Sequence, residues 1–213
     1  MRKITFLILF LSNSYLFCQN KILVEGDIGT AIPMHQNLKN VFDLGLDINV
    51  GFAINILSEN IFLKPSGGVK WYFKQIEDVN SVTEHLRTWK AGLELRYYCL
   101  KKGKWKLAPY INVNHNWSSN YYSESHHNPF TNQTSGATSD KYLKGSGISF
   151  AVGSILNYKS IYLKINFEIF NPTLIVNQSI VDAAYGQGII VEPKQTLNLS
   201  SLNLTFGYTF KLK

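Results

Sequence analysis

The sequence predicts an all-β protein: one eight-stranded antiparallel up-and-down barrel that crosses a membrane with strands rather than helices. Three observations carry this expectation. Large apolar side chains alternate with small or polar ones along segment after segment, and the links between those segments alternate between short and long. After the N-terminal leader, no stretch approaches the roughly eighteen consecutive apolar residues that a membrane-crossing helix requires.

The leader comes first. Met1, Arg2 and Lys3 form a basic head, Ile4–Leu11 an apolar core, and a more polar stretch ends in Phe17, Cys18, Gln19 and Asn20. This is the pattern of a secretory signal peptide over residues 1–18, with one barrel domain over residues 19–213. A lipid-modified Cys18 is the alternative, but Phe17 is bulky where that processing needs a small residue. Two of the 21 basic residues lie in the leader, leaving 19 against 14 acidic ones and a formal charge of +5. That charge suits anionic lipid phosphates, and export excludes nucleic acid as a partner. Cys99 alone remains after cleavage, so no internal disulfide framework is expected.

The strands follow in order. A short first strand covers Ile22–Ile28. In Phe42–Ile56 every even position is large and apolar, and every odd one is small or polar. Because successive side chains point to opposite faces of a pleat, this is a half-buried strand of membrane-crossing length. The alternation recurs over Ile61–Phe73, Trp89–Cys99, Trp105–Trp117, Ile148–Leu156, Ile161–Phe170 and Leu202–Phe210. Leu197 and Leu199 are out of phase with Leu202, which predicts an irregularity near Ser200. Short links fall at Leu57–Asn60, Lys101–Lys104 and Asn157–Ser160; long ones fall near Thr30–Val41, Lys74–Thr88, Ser118–Lys144 and Asn171–Gln195.

Alternation alone also fits a soluble barrel with an apolar interior. The non-apolar face argues otherwise, because it mixes Gly and Ala with charges of both signs, as a narrow lumen requires. By this phase Glu25, Asp27, Asp43, Asp47, Glu94 and Glu168 point inward with Lys64, Lys70, Lys90, Arg96, Lys106 and Lys164. Acids dominate the first two strands and bases the next three, so pairs are expected across the lumen. All four tryptophans, Trp71, Trp89, Trp105 and Trp117, fall on the apolar face near strand ends, as aromatic girdles at the membrane interfaces do. Phe206, Tyr208 and Phe210 extend the girdle at the end where the chain terminates.

The last strand carries a resemblance. Thr205, Gly207, Phe210 and Leu212 match the polar-x-Gly-x-x-apolar-x-apolar pattern of the C-terminal assembly signal of outer-membrane barrels. With the hairpin plan, the mature chain resembles the outer-membrane β-barrel superfamily of Gram-negative bacteria, in the OmpA- and OmpX-type size class. The resemblance implies an outer-membrane location with periplasmic termini, short periplasmic turns and long extracellular loops. Its implied partners are outer-membrane lipids including lipopolysaccharide, and the barrel-assembly machinery during biogenesis.

No catalytic constellation, cofactor site or metal site stands out, and the chain reads as a non-enzymatic barrel. Its inward charges read first as a structural plug, and only second as an ion pathway. Some lipid A deacylases resemble this size class and carry a His-x-Ser-Asn motif. Here His115, Ser118 and Ser119 lie close together, but Trp117 stands two residues after His115, so the spacing fails. A lipid A-modifying enzyme is thus one alternative. A barrel passing small apolar ligands, similar to OmpW, is another, and the inward charges argue against the apolar entrance it needs. His126 and His127 read as part of a solvated loop. The last long connection is unusually apolar, with Ile189, Ile190 and Val191 near its end. A hairpin extension around Tyr185–Gly188 is expected there, and Ile189–Val191 form a candidate contact for an outer-membrane protein partner.

Overall fold

The computed structural model describes residues 22–39, 42, 44–56, 58–76, 81–128 and 133–211. The leader, Asp43 and Leu212 lie outside them. Eleven strands result: β1 (Ile22–Pro33), β2 (Gly45–Asn55), β3 (Ile61–Ile76), β4 (Ser81–Tyr97), β5 (Leu100–Lys102), β6 (Trp105–Asn128), β7 (Gln133–Tyr158), β8 (Ile161–Ile169), β9 (Thr173–Val176), β10 (Lys194–Thr196) and β11 (Ser201–Lys211). Helix α1 covers Gln36–Lys39 and helix α2 covers Gln178–Gly186. No helix among the described residues is long and apolar enough to cross a membrane.

Eight of the strands close on themselves. Antiparallel neighbours run β1, β2, β3, β4, β6, β7, β8, β11, and β11 pairs back onto β1. The ladder defines the geometry of closure. Gly153 on β7 leads through Asn166, Asn203, Ala31, Gly45, Tyr72, Leu86 and Asn120 to Leu143, again on β7. Residues 153 and 143 differ by ten, so eight strands close with a stagger of ten residues. That stagger ties the strands to a tilt of roughly 40° from the barrel axis and leaves an interior that side chains can fill.

Tight turns join the strands at one end. Gly103, at φ 60°, and Lys159, at φ 57°, supply the left-handed backbone that two-residue hairpin turns between right-twisted strands demand. At the other end the strands run further than the alternation suggested. β3 and β4 pair as far as Ile76 and Val82, and β6 and β7 as far as Asn128 and Gln133. Much of the expected loops at Lys74–Thr88 and Ser118–Lys144 is therefore ladder.

Two segments depart from the sequence expectation in kind. Phe42, expected on the outer face of the second strand, is buried instead, because α1 turns the chain over the barrel mouth before β2 begins at Gly45. In the last connection only β9 and β10 form a hairpin; its tip is α2, not extended strand. Asn177 caps α2 by accepting from the Ser179 backbone N–H at 3.2 Å. The irregularity near Ser200 is present: Leu199 and Ser200 are both buried, breaking the alternation just before β11.

Gly207 shows how tightly the interior is filled. A Cβ there would lie 2.2 Å from Tyr162 Cζ and 2.5 Å from its hydroxyl. The Tyr162 ring occupies the space a side chain would need, and its hydroxyl donates to Asp27 at 2.9 Å. Gly207→Val is expected to destabilise the barrel by roughly 1–3 kcal/mol through overpacking. Gly67→Val, at an outward position whose nearest neighbour is 3.6 Å away, is expected to leave stability unchanged; denaturant titration in detergent or lipid checks both.

Candidate functional site

The interior is layered along its axis. Nearest the tight turns, Tyr110, Ile155 and Tyr162 pack together, and the buried Tyr98 adds a fourth side chain. Above them sits a charge tier centred on Arg96. Its guanidinium grips Glu25 with two parallel bonds, at 2.9 and 2.8 Å, and donates from Nε to Glu94 at 2.9 Å. Glu94 also accepts from Lys164 at 2.6 Å. Lys64 lies 3.1 Å from Glu25 and 3.5 Å from Asp27. This two-pronged Arg–carboxylate geometry holds both orientation and charge.

Asn49 joins this tier to a second one. Its amide donates to Asp27 at 2.7 Å and to Asp47 at 3.2 Å, and Asp47 accepts from Lys90 at 2.6 Å. Lys70 pairs with Glu168 and donates to Ser201 at 2.7 Å, while Ser149 donates to Glu168 at 2.6 Å. Asn203 donates to Asn166 at 2.7 Å. Between the tiers lies a polar cavity of about 20 Å³ lined by Asn49, Asn112, Asn114, Asn166 and Asn203 among others. That is room for an ordered water, not for a continuous pore.

The described charges balance. Five carboxylates, Glu25, Asp27, Asp47, Glu94 and Glu168, face five cations, Lys64, Lys70, Lys90, Arg96 and Lys164. Lys106 does not join them. Its phase along the strand is inward, but β6 leaves the barrel end at that level, and the exposed ammonium lies 5.8 Å from the Tyr98 ring centroid. The asparagines and serines that complete the network share the inward parity of the charges, and that parity is the signal by which the sequence could have pointed to them.

Over the second tier the interior turns apolar. Ala31, Leu38, Phe42, Tyr72, Leu86, Phe170 and Leu199 form a buried cluster closing the mouth beneath α1. The mouth is thus filled by buried apolar side chains rather than open, with the Lys70–Glu168 pair beneath them.

Outside, the apolar residues form a continuous exposed belt from Ile28, Val50 and Phe52 round to Phe150, Ile165 and Phe206. Trp71, Trp89 and Trp117 stand half-exposed at the end with long connections, Trp89 directly opposite Trp117 across the β4–β6 ladder. Trp105 stands at the other end against Tyr158, ring centroids 4.6 Å apart, in the company of Tyr208 and Phe210. His115 faces outward and meets Trp117 edge-on at 4.5 Å, whereas Ser118 faces inward and shares a hydrogen bond of 2.8 Å with Thr88. His115 and Ser118 therefore point to opposite sides of the wall. Within the terminal assembly pattern, Thr205 and Gly207 face the lumen and Phe210 the exterior. The His126 and His127 side chains lie outside the described residues, and no metal-binding cluster occurs among the described ones.

An outward apolar belt between two aromatic girdles, around an interior filled with paired charge, defines a membrane-spanning barrel; the fold is that of the eight-stranded outer-membrane β-barrels. Solved structures with this likeness include Neisserial surface protein A (12% identity, TM-score 0.46, covering 90% of this chain and 97% of that one). They include a major outer membrane protein from Thermus thermophilus (15%, 0.47, 90% and 100%). A third is Ail, the attachment invasion locus protein of Yersinia pestis, in complex with the heparin analogue sucrose octasulfate (8%, 0.43, 90% and 97%). No protein-family model and no curated protein matches the sequence.

Removing one member of the Arg96 tier isolates its partners. Arg96→Met is expected to destabilise the barrel by roughly 3–5 kcal/mol, because Glu25 and Glu94 keep their burial and lose their principal cation. Adding Glu25→Gln to Arg96→Met is expected to recover part of that loss, and a double-mutant cycle by denaturant titration measures the coupling.

Proposed function

We propose that this protein is a non-enzymatic outer-membrane barrel whose long connections face the cell exterior, and that its last connection is a docking element for another protein. One observation carries the reading: an apolar tip projects from a rigid wall. In the connection after β8, Tyr185 is 80% exposed and Ile190 is 91% exposed, with Ile189 beside them. Their neighbours Val181 and Val191 pack down on Leu143, Leu174 and Val176, so the tip is anchored on the extended β7–β9 ladder. Large apolar side chains held clear of their own core favour a contact surface. A signal peptide over residues 1–18 and delivery by the assembly machinery through the C-terminal strand belong to the same reading.

Ser118 turns inward while Ser119 shares the outward face of His115; what counts against the lipid A-modifying alternative is the missing His-x-Ser-Asn spacing, with Trp117 two residues after His115. The mouth is closed by apolar side chains above two tiers of paired charge, which favours a plug over a small-ligand barrel.

Orientation and docking are separately testable. In a Cys99→Ser background, a cysteine replacing Ser179 is expected to react with an impermeant maleimide on intact cells, whereas one replacing Lys101 reacts only after permeabilisation. A photo-crosslinking residue at position 190 is expected to give one discrete protein adduct in cells, lost when Tyr185 and Ile189 are changed to Ser. A barrel that crosslinks to nothing at 190 while labelling as expected at 179 would retain the orientation and sink the docking role.

A further inference from the structure

The tight-turn end of the barrel is strongly basic. Among the described exposed residues there, Lys101, Lys102, Lys104, Lys106, Lys159 and Lys211 stand against the carboxylate of Glu59, six charges minus one, or +5. The lumen does not neutralise them, because its five described carboxylates already face five cations of their own. The turns that carry the lysines are tied into one platform. The Lys159 backbone N–H donates to the Lys104 carbonyl at 3.2 Å, the Tyr98 N–H to the Asn60 carbonyl at 2.9 Å and the Thr209 N–H to the Ser160 carbonyl at 2.7 Å.

Local preference is broken twice in this platform. Lys101 stands directly opposite Lys106 in the β5–β6 ladder, where like charges on one rung destabilise the pairing. Their ammonium groups part: Lys101 donates to the Glu59 carbonyl at 3.1 Å, and Lys106 lies over the Tyr98 ring. Lys159 holds the left-handed backbone of its turn at φ 57°, a conformation that favours Gly or Asn and strains a lysine. Choices that cost the fold and return nothing to it point to a role outside it. Direction matters as well. Lys101, Lys106 and Lys211 keep the inward parity of the lumen charges but lie exposed past its end, so they face along the barrel axis, away from the lipid around the wall. The exposed apolar side chains at this level, Leu100, Trp105, Tyr158 and Phe210, take the opposite parity.

We propose that the tight-turn end is a docking platform for a carboxylate-bearing polyanion of the periplasm, the peptide stems of the peptidoglycan wall. Protein interfaces centre on aromatic and aliphatic anchors. Here the axis-facing described side chains are ammonium groups, and the apolar ones at the same level turn to the lipid, so the platform suits a polar polyanion and not a protein surface. Flexible lysines on neighbouring turns adapt to separate carboxylates, each ammonium acting as a point charge. A polyanion between Lys101 and Lys106 also relieves the repulsion that the ladder imposes on them. The platform rests on the reading that the long connections face the exterior, which puts the tight turns on the wall side.

The test is co-sedimentation of the full-length mature barrel, in mild detergent at about 0.15 M salt, with purified peptidoglycan sacculi. The wild type is expected to bind native sacculi at least about tenfold more tightly than sacculi whose carboxylates have been converted to amides, and to keep that binding in excess phosphatidylglycerol micelles. Lys101→Gln with Lys106→Gln and Lys159→Gly is expected to lose at least about tenfold of the binding while denaturing no earlier than the wild type, because the changes remove the repulsion and the strained backbone. Lys144→Gln with Lys194→Gln, at the opposite end, is expected to bind as the wild type does. Equal binding by the triple variant or to amidated sacculi overturns the proposal, and so does displacement by phosphatidylglycerol, which would assign the lysines to lipid headgroups. Lower stability of Lys159→Gly alone would give that lysine a role in the turn and likewise count against the platform. The assay does not depend on which way the barrel points in a cell, so a failed orientation is seen in the maleimide labelling and a failed platform is seen here.

Discussion

Closing eight strands with a ten-residue stagger fixes a lumen too narrow to stay empty, whose middle, by parity, is lined with charged and polar side chains. Inward positions are accordingly taken by small residues, by rings that fit against them, by apolar side chains at the two ends, and by polar groups that pair across the middle. The Tyr162 ring lies over Gly207, and its hydroxyl serves Asp27; Asp27 in turn is reached by Asn49 and Lys64. Buried charge of one sign would be costly in such a space. Five described carboxylates against five described cations relieve it, and Asn49, Ser149 and Asn203 add hydrogen bonds to the network.

The same constraint explains what the sequence could reveal. Parity is local, so the inward and outward faces of β2, β3, β4 and β8 could be read from a few residues each, and the tryptophans identified the interfaces. The charges of the lumen were legible for that reason. Height along the axis was not, because it depends on where each strand meets the ends of the barrel. Lys106 has the right parity and lies outside the lumen. Phe42 continues an apolar alternation and yet folds into the mouth, because α1 redirects the chain. The helix α2 was hidden by Ile and Val in a segment that reads equally well as strand; Asn177 followed by Ile180, Val181 and Ala184 was its signal.

Register was the other missing quantity. Arg87 and Lys144 lie 57 positions apart, each at the edge of what the sequence presents as a long connection. Only when β4, β6 and β7 extend past the membrane belt do the two cations enter one cross-strand row above the tryptophans. Neither residue is conspicuous in its own segment. Their proximity comes from ladder pairing, and a one-residue slip in either strand would turn one of them inward.

A filled lumen leaves the outer wall and the connections as the surfaces the barrel presents. Both ends of the interior are occupied by packed rings and apolar side chains, with two charge tiers between. The wall meets lipid around the whole circumference, yet its described basic residues are gathered on three strands. Those strands include β7, whose extension carries β9 and the exposed tip beyond α2. The same long strand that closes the barrel wall thus carries the exposed apolar residues Ile189 and Ile190 beyond it.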